Sequence, residues 1–181
     1  MADAVEETDR RLWWRHVISF LIAPIMMTLI IPRQIAYSTN MRAPNLGSPG
    51  KIVLAIIGVL MIVVGLILFG WTVTLFHRVG RGTLGVGKVL GEPIHLVLRG
   101  PYRYVRNPMI IAVVWILLGE AAITASGWLL LWAVAFWAIV ATFIRLWEEP
   151  HLKKLFESEY IEYWRNVPAW IPRLSAWDPS R

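Results

Sequence analysis

The chain has 181 residues, of which 57% are hydrophobic and 17% charged, against roughly a quarter charged in a typical soluble domain. That balance excludes an ordinary water-soluble globule, and the absence of Cys excludes disulfides, thiol nucleophiles and thiolate metal sites. The net charge of +6 does not indicate nucleic acid, because the basic residues lie between apolar segments and not along one polar face.

Residues 1–12 form a short polar, mostly acidic start, predicted to be a disordered tail, with none of the small-residue cleavage pattern of a signal peptide. A first apolar stretch runs from about Trp13 to Pro32, opened by Trp13, Trp14 and Arg15 and closed by Pro32 and Arg33. A connector rich in Ser, Asn, Pro and Gly (Ser38 to Gly50) leads to a second stretch, Ile52 to Phe76, that contains no Asp, Glu, Lys or Arg. Helices need about 20 apolar residues to cross a bilayer, so residues 13–76 read as two spans.

The long polar segment from His77 to Asn107 carries Gly80, Gly82, Gly85, Gly87, Gly91 and Gly100 together with Arg78, Arg81, Lys88, Arg99, Arg103 and Arg106. Gly82 to Lys88 spells the start of a phosphate-binding loop, G-x-x-x-x-G-K, but Val89 replaces the Ser or Thr that would hold magnesium and no strand precedes it, so nucleotide hydrolysis is not expected. Pro108 opens a third apolar run to about Thr124, Ser126-Gly127 makes a turn, and Trp128 to Trp147 forms a fourth. The basic residues cluster before span one, between spans two and three, and after span four. The positive-inside tendency then predicts four spans with both termini cytoplasmic.

Beyond Glu148-Glu149-Pro150 the pattern becomes amphipathic: Leu152, Leu155, Phe156, Tyr160, Tyr163 and Val167 recur at helical spacing, and Lys153, Lys154, Glu157, Glu159 and Glu162 take the other face. Pro150 predicts a break at the two acids, followed by a helix on the membrane surface. The fold class is therefore an all-α integral membrane protein of about four transmembrane helices with a C-terminal amphipathic surface helix.

Pro108 and Arg145 each lie 18 residues from the Ser126-Gly127 turn, and equal rise of about 1.5 Å per residue places them at one depth. Tyr102 to Pro108 and Arg145 to Glu149 can then line one pocket at the membrane surface, where a carboxylate suits an ammonium or ribose hydroxyls and the apolar wall suits an adenine face or a lipid chain. Two readings stay open for several residues. Glu148 and Glu149 are either pocket acids or a solvated pair serving Lys153 and Arg145. Arg103 and Arg106 are either site residues or lipid-phosphate anchors, and Glu120, near the outer end of span three, is either functional or simply solvated. Trp128, Trp132 and Trp137 read as packing or lipid-facing anchors, and His77 and His151 have no metal-site spacing.

The run Gly100-Pro101-Tyr102-Arg103-Tyr104-Val105-Arg106-Asn107-Pro108-Met109, then span, turn, span, Glu148-Glu149-Pro150, Phe156, Glu159-Tyr160, Tyr163 and Val167 to Arg173, resembles the isoprenylcysteine carboxyl methyltransferase-like family, which includes related phospholipid methyltransferases. Gly80 to Leu84 is similar to a segment of bacterial members, so the resemblance covers about Gly80 to Arg173, and residues 77–181 form the methyltransferase-like region. The resemblance implies an S-adenosylmethionine-dependent methyltransferase acting on a lipophilic small-molecule or lipid acceptor at the cytosolic face. It implies that Leu96, Val97, Tyr102, Asn107, Pro108 and Glu148 contact the cofactor and that Arg145 orients the acceptor. The commoner family motif is Arg-His-Pro; Asn107 replaces that His and cannot titrate near neutrality, so this position is not a proton-transfer base. An amine or thiol acceptor needs deprotonation, for which Glu149, His95 and His151 are the candidates. An NADPH-dependent membrane reductase of related helical fold and a non-enzymatic scaffold or permease-like subunit are the alternatives. Residue types along the spans do not specify the acceptor, and oligomeric state is not legible.

Overall fold

The computed structural model describes residues 22–41, 47–75, 78 and 96–178. The expectations placed on the tail 1–12, on residues 13–21 of the first span, on Gly80 to Leu84, on Gly82 to Lys88 and on His95 lie outside the described residues. Every described element is helical, with no strand among them.

The first helix contains a π turn, Met26–Ile30, and continues as α1, Ile31–Ser38. Pro32 was predicted to close this span, yet the chain stays helical to Ser38. The Ile31 N–H reaches back five residues to the Met26 carbonyl, so the register widens just before the residue that has no N–H to give and whose ring would collide with the tighter turn. In that wider register Met27 is the carbonyl Pro32 would have served, and the Trp132 indole N–H donates to it instead, at 3.1 Å.

Helix α2, Pro49–Leu75, packs most extensively against α3, Pro108–Thr124. It buries only a narrow stripe, Gly58, Gly65 and Thr72, one residue per heptad. A Cβ on Gly58 would lie 2.6 Å from the Gly119 carbonyl oxygen, and one on Gly65 would lie 2.8 Å from that of Ala112. The two backbones therefore touch, as small residues allow in helix pairs that have no water to expel. The buried Thr72 hydroxyl is satisfied within its own helix by the Leu68 and Phe69 carbonyls. Most of the other apolar side chains of α2 are exposed, which separates it from the core helix of a soluble protein.

Ala125, in the left-handed region at φ 49°, ends α3, and the Ser126 hydroxyl accepts the Leu129 N–H at 3.3 Å to start α4, Gly127–Phe143. The α3–α4 hairpin thus stands where it was predicted. Val113 and Leu117 of α3 meet Ala133 and Phe136 of α4, ringed by Met27, Phe69, Ile110 and Trp132, in one of two cores.

No break occurs at Glu148-Glu149-Pro150. The Glu149 N–H reaches back five residues to the Ile144 carbonyl, so a second π turn, Ile144–Glu148, carries the helix past Pro150 into α5, Glu149–Leu155. The device is the one used at Pro32. Residues Gly127–Leu155 form one helical run, and this run and Pro49–Leu75 are long and apolar enough to cross a membrane, while Pro108–Thr124 is a shorter apolar helix. The real break comes at Phe156 and Glu157, the latter at φ 43°, before α6, Glu157–Asn166. The predicted surface helix is therefore two helices. Its apolar face is also turned inward: Tyr160, Tyr163 and Val167 pack with Trp177 against Leu96, Leu98, Leu152 and Phe156, forming the second core.

Candidate functional site

The second core holds together the end of the bundle where α2 finishes and α3 begins. Gly100 opens a 3₁₀ turn, Gly100–Arg103, at φ +57°, and a Cβ there would lie 2.7 Å from Leu75 Cδ1, so only glycine lets the turn sit on the end of α2. Tyr102 follows, nearly buried. Burial, and next the Glu148 carboxylate, push its phenol well above the ordinary value, so it remains a neutral hydroxyl. Tyr102 and Glu148 are thus within electrostatic reach of each other.

A C-terminal tail laces this segment residue by residue. The Trp177 N–H donates to the Arg103 carbonyl at 2.9 Å, the Arg173 N–H to that of Tyr104 at 2.9 Å, and the Arg106 N–H to that of Pro168 at 2.9 Å. Arg103 Nε returns a bond to the Trp177 carbonyl at 2.6 Å, and its guanidinium lies 3.3 Å from Asp178. From beneath, the Tyr163 hydroxyl donates to the Tyr102 carbonyl at 2.8 Å. Burial holds the Tyr163 phenol well above its usual range, so this donor keeps its proton. The phenol of Tyr160 is raised too, first by burial and then by the charge on Glu149.

Asn107 occupies the position before Pro108, where its side chain would ordinarily cap α3, yet it makes no cap. Its Nδ2 donates to the Ala169 carbonyl at 3.2 Å instead, so the amide ties the motif to the tail. Pro108 is fully buried as the first residue of α3.

Arg106 makes the densest set of contacts. Its Nη2 lies 2.7 Å from Glu149 Oε1, with side-chain exposures of 10% and 12%. Its Nη1 donates to the carbonyls of Trp164 and Val167, each at 2.7 Å. The Trp164 indole N–H donates to the other Glu149 oxygen at 3.0 Å. Both Glu149 oxygens are thus engaged, which removes Glu149 from the candidate bases. It also rules out the expected partnership of Glu149 with Arg145 or Lys153: Lys153 Nζ lies over the Trp164 ring, 4.0 Å from its centroid.

Glu148 differs from its neighbour. It is half-buried on the π turn, and among the described residues no hydrogen bond or ion pair engages its carboxylate. Val97 is buried, and Leu96 packs at the edge of the second core. The structure therefore brings Leu96, Val97, Tyr102, Asn107, Pro108 and Glu148 to one end of the molecule. Arg145 is at the same end but exposed, one turn before Glu148. Glu120 sits at the opposite end of α3, and its Oε2 is buried without a hydrogen-bond partner among the described residues, so simple solvation does not describe it. Trp132, expected to be a packing or lipid-facing anchor, packs in the first core and also donates to the Met27 carbonyl of the first helix. Sequence reasoning missed the Arg106–Glu149–Trp164 cluster and the lacing by the tail. The available signal was the pair of motifs itself, since an Arg beside one and an acid in the other invite pairing once the hairpin aligns them.

The family model for phospholipid methyltransferases matches residues 53–159, spanning α2, the 3₁₀ turn, the hairpin, α5 and the start of α6. No curated protein matches the chain, and neither does any solved structure.

Proposed function

The chain belongs to the phospholipid methyltransferase family, a membrane methyltransferase by its family and its apolar helices, and from that premise we propose that it methylates a lipophilic acceptor with S-adenosylmethionine at the cytosolic face of a bacterial inner membrane. The reading places four spans in the bilayer, with both termini and the Tyr102–Glu148 end in the cytosol. The basic residues of segment 77–107 and of the tail favour that orientation.

The residues present fit the cofactor. A half-buried carboxylate without a partner among the described residues, Glu148, is the group an α-ammonium or a pair of ribose hydroxyls needs. A neutral Tyr102 hydroxyl and the apolar Leu96, Val97 and Pro108 suit the remainder. Glu148 is the observation that carries the proposal. Bound, the sulfonium supplies an electrophilic methyl group for an in-line displacement. The protein's task is alignment, which contributes about 7 to 11 kcal/mol in well-oriented systems. Asn107, bonded to the tail, holds the loop against α3 and takes no proton. Arg145, exposed beside the site, is placed to meet an anionic acceptor group. A carboxylate acceptor would need no base; an amine or thiol would pass its proton to solvent or to His151, since Glu149 is occupied.

Thermal unfolding in detergent or nanodiscs tests the reading. S-adenosylhomocysteine at about 100 times its dissociation constant should add about 2.7 kcal/mol of stability, and NADPH should add none. Glu148→Ala should insert normally and lose the stabilisation. Stabilisation by NADPH alone would favour the reductase, and an unchanged response in Glu148→Ala would remove Glu148 from the site.

A further inference from the structure

Arg106 and Glu149 are the best-connected charged pair in the described structure, and neither is among the residues assigned to the cofactor. They are next to such residues, however: Arg106 precedes Asn107 and Glu149 follows Glu148. Apart from Glu149, the groups that receive the Arg106 guanidinium are neutral, the carbonyls of Trp164 and Val167 and the face of the Trp164 ring, 5.4 Å from Cζ. The opposite face of the charge balance is Lys153, also against that ring. Around the Trp164 ring stand two cations, Arg106 and Lys153, with Arg145 exposed one turn before Glu148, and of the two carboxylates Glu149 is held at 2.7 Å by Arg106.

We propose that Glu149 is a positioning residue that cancels the Arg106 charge, leaving the Glu148 carboxyl group unclaimed by Arg106 and available to a cationic ligand. The inference rests on the cofactor reading above. Without Glu149, a guanidinium whose side chain is only 10% exposed would keep no carboxylate partner, and Glu148, next in sequence to the lost partner, is the adjacent carboxylate it would draw on. An unpaired buried charge recruits whatever opposite charge is in reach, because desolvation makes isolation costly. The ammonium of the ligand would then have to displace an arginine. Cancelling Arg106 also fixes the Asn107 loop to the end of α4 and α5, so one bond serves both charge and distance.

The signs of the variants distinguish charge from scaffolding. With S-adenosylhomocysteine as the calorimetric probe and the full chain in nanodiscs, Glu149→Gln keeps an acceptor for the Trp164 indole but leaves Arg106 unpaired, and its affinity should fall about tenfold or more. Adding Arg106→Met to that variant removes the stranded charge and should recover most of the loss, although the thermal midpoint stays below that of the unaltered protein. Arg106→Lys keeps the charge and loses the planar fork and its ring contact, so its thermal midpoint should fall, while affinity, if charge is what the pair supplies, should stay within about threefold of the unaltered protein. Unchanged affinity in Glu149→Gln, or a double variant no better than the single one, overturns the inference while leaving the cofactor reading intact. Should Glu149→Gln fail to fold, Arg106→Lys decides: a loss of tenfold or more shows that geometry and not charge is what the pair supplies. If the unaltered protein binds no S-adenosylhomocysteine, the cofactor reading falls and the inference with it.

Discussion

Asn107 shows how much one atom can matter at the residue scale. By the motif resemblance Asn107 stands where His is commoner, and both side chains offer an N–H donor; the Nδ2 of Asn107 donates to the Ala169 carbonyl. Asn107→His should therefore keep the tie to the tail, and S-adenosylhomocysteine affinity should stay within about tenfold. Asn107→Asp has nearly the same shape but presents an acceptor to an acceptor, and leaving a polar group unsatisfied costs about 1 to 3 kcal/mol. That cost depends on pH with a definite sign. A protonated carboxyl can donate to Ala169 and an ionised one cannot, so folding favours the protonated form and raises its pKa. The stability deficit of the variant should shrink as pH falls and grow as pH rises, while the unaltered protein shows no such trend from this position. Thermal midpoints across acid to neutral pH check this, and a deficit independent of pH would mean the amide bond contributes nothing.

At the scale of elements, both prolines that read as helix ends turned out to be interior. Pro32 and Pro150 are each preceded by a π turn whose last N–H reaches back five residues. The widened register removes the clash, and it also frees one carbonyl. For the first helix that carbonyl belongs to Met27, and Trp132 is its donor. Trp132→Phe should therefore cost more than its lost volume, by about 0.6 to 2 kcal/mol, the range of interhelical hydrogen bonds within a membrane. If the account is right, Pro32→Ala changes the answer: with an N–H restored at position 32, the Trp132→Phe penalty should shrink. A double-mutant cycle measured by unfolding in mixed micelles gives this coupling, and strictly additive penalties would refute it. The same case explains what was legible in the sequence. Apolar runs without a charge, the positions of Ser126 and Gly127, and the 3.6-residue pattern beyond Pro150 are local signals, and helices stand at these places among the described residues, the one beyond Pro150 as two. A proline's effect is not local, because whether it ends a helix depends on a partner such as Trp132, distant in sequence, taking up the orphaned carbonyl. That Tyr102 to Pro108 and Arg145 to Glu149 meet at one end was legible for the same reason as the hairpin, through equal distances from one turn. Their fastening by residues 168–177 was not, because backbone carbonyls carry no sequence signature.

The whole molecule divides its stability between two cores of different character. Val113, Leu117, Ala133 and Phe136 hold the helices of the bundle, and the Gly58–Gly119 contact lets α2 join them at backbone distance. Tyr160, Tyr163, Val167 and Trp177 hold the end of the bundle that carries the candidate site. The first core does not require the second, since the bundle residues are apolar and find their partners in the spans. The second does require the tail. Arg103, Tyr104, Arg106 and Asn107 each bond to a residue from 168 to 177, and such bonds contribute about 1 kcal/mol apiece. Replacing a buried Trp such as Trp177 by Ala costs a further 3 to 5 kcal/mol, roughly. A chain ended after Asn166 should consequently insert, resist extraction and keep slow amide exchange in α3 and α4. Its exchange across residues 100–107 should rise sharply, and its response to S-adenosylhomocysteine should vanish. Trp177→Ala should reproduce both effects in weaker form. Protection across 100–107 that survives the truncation would show that Tyr102 and Asn107 are held from the bundle side alone, and that the tail merely covers a site already built.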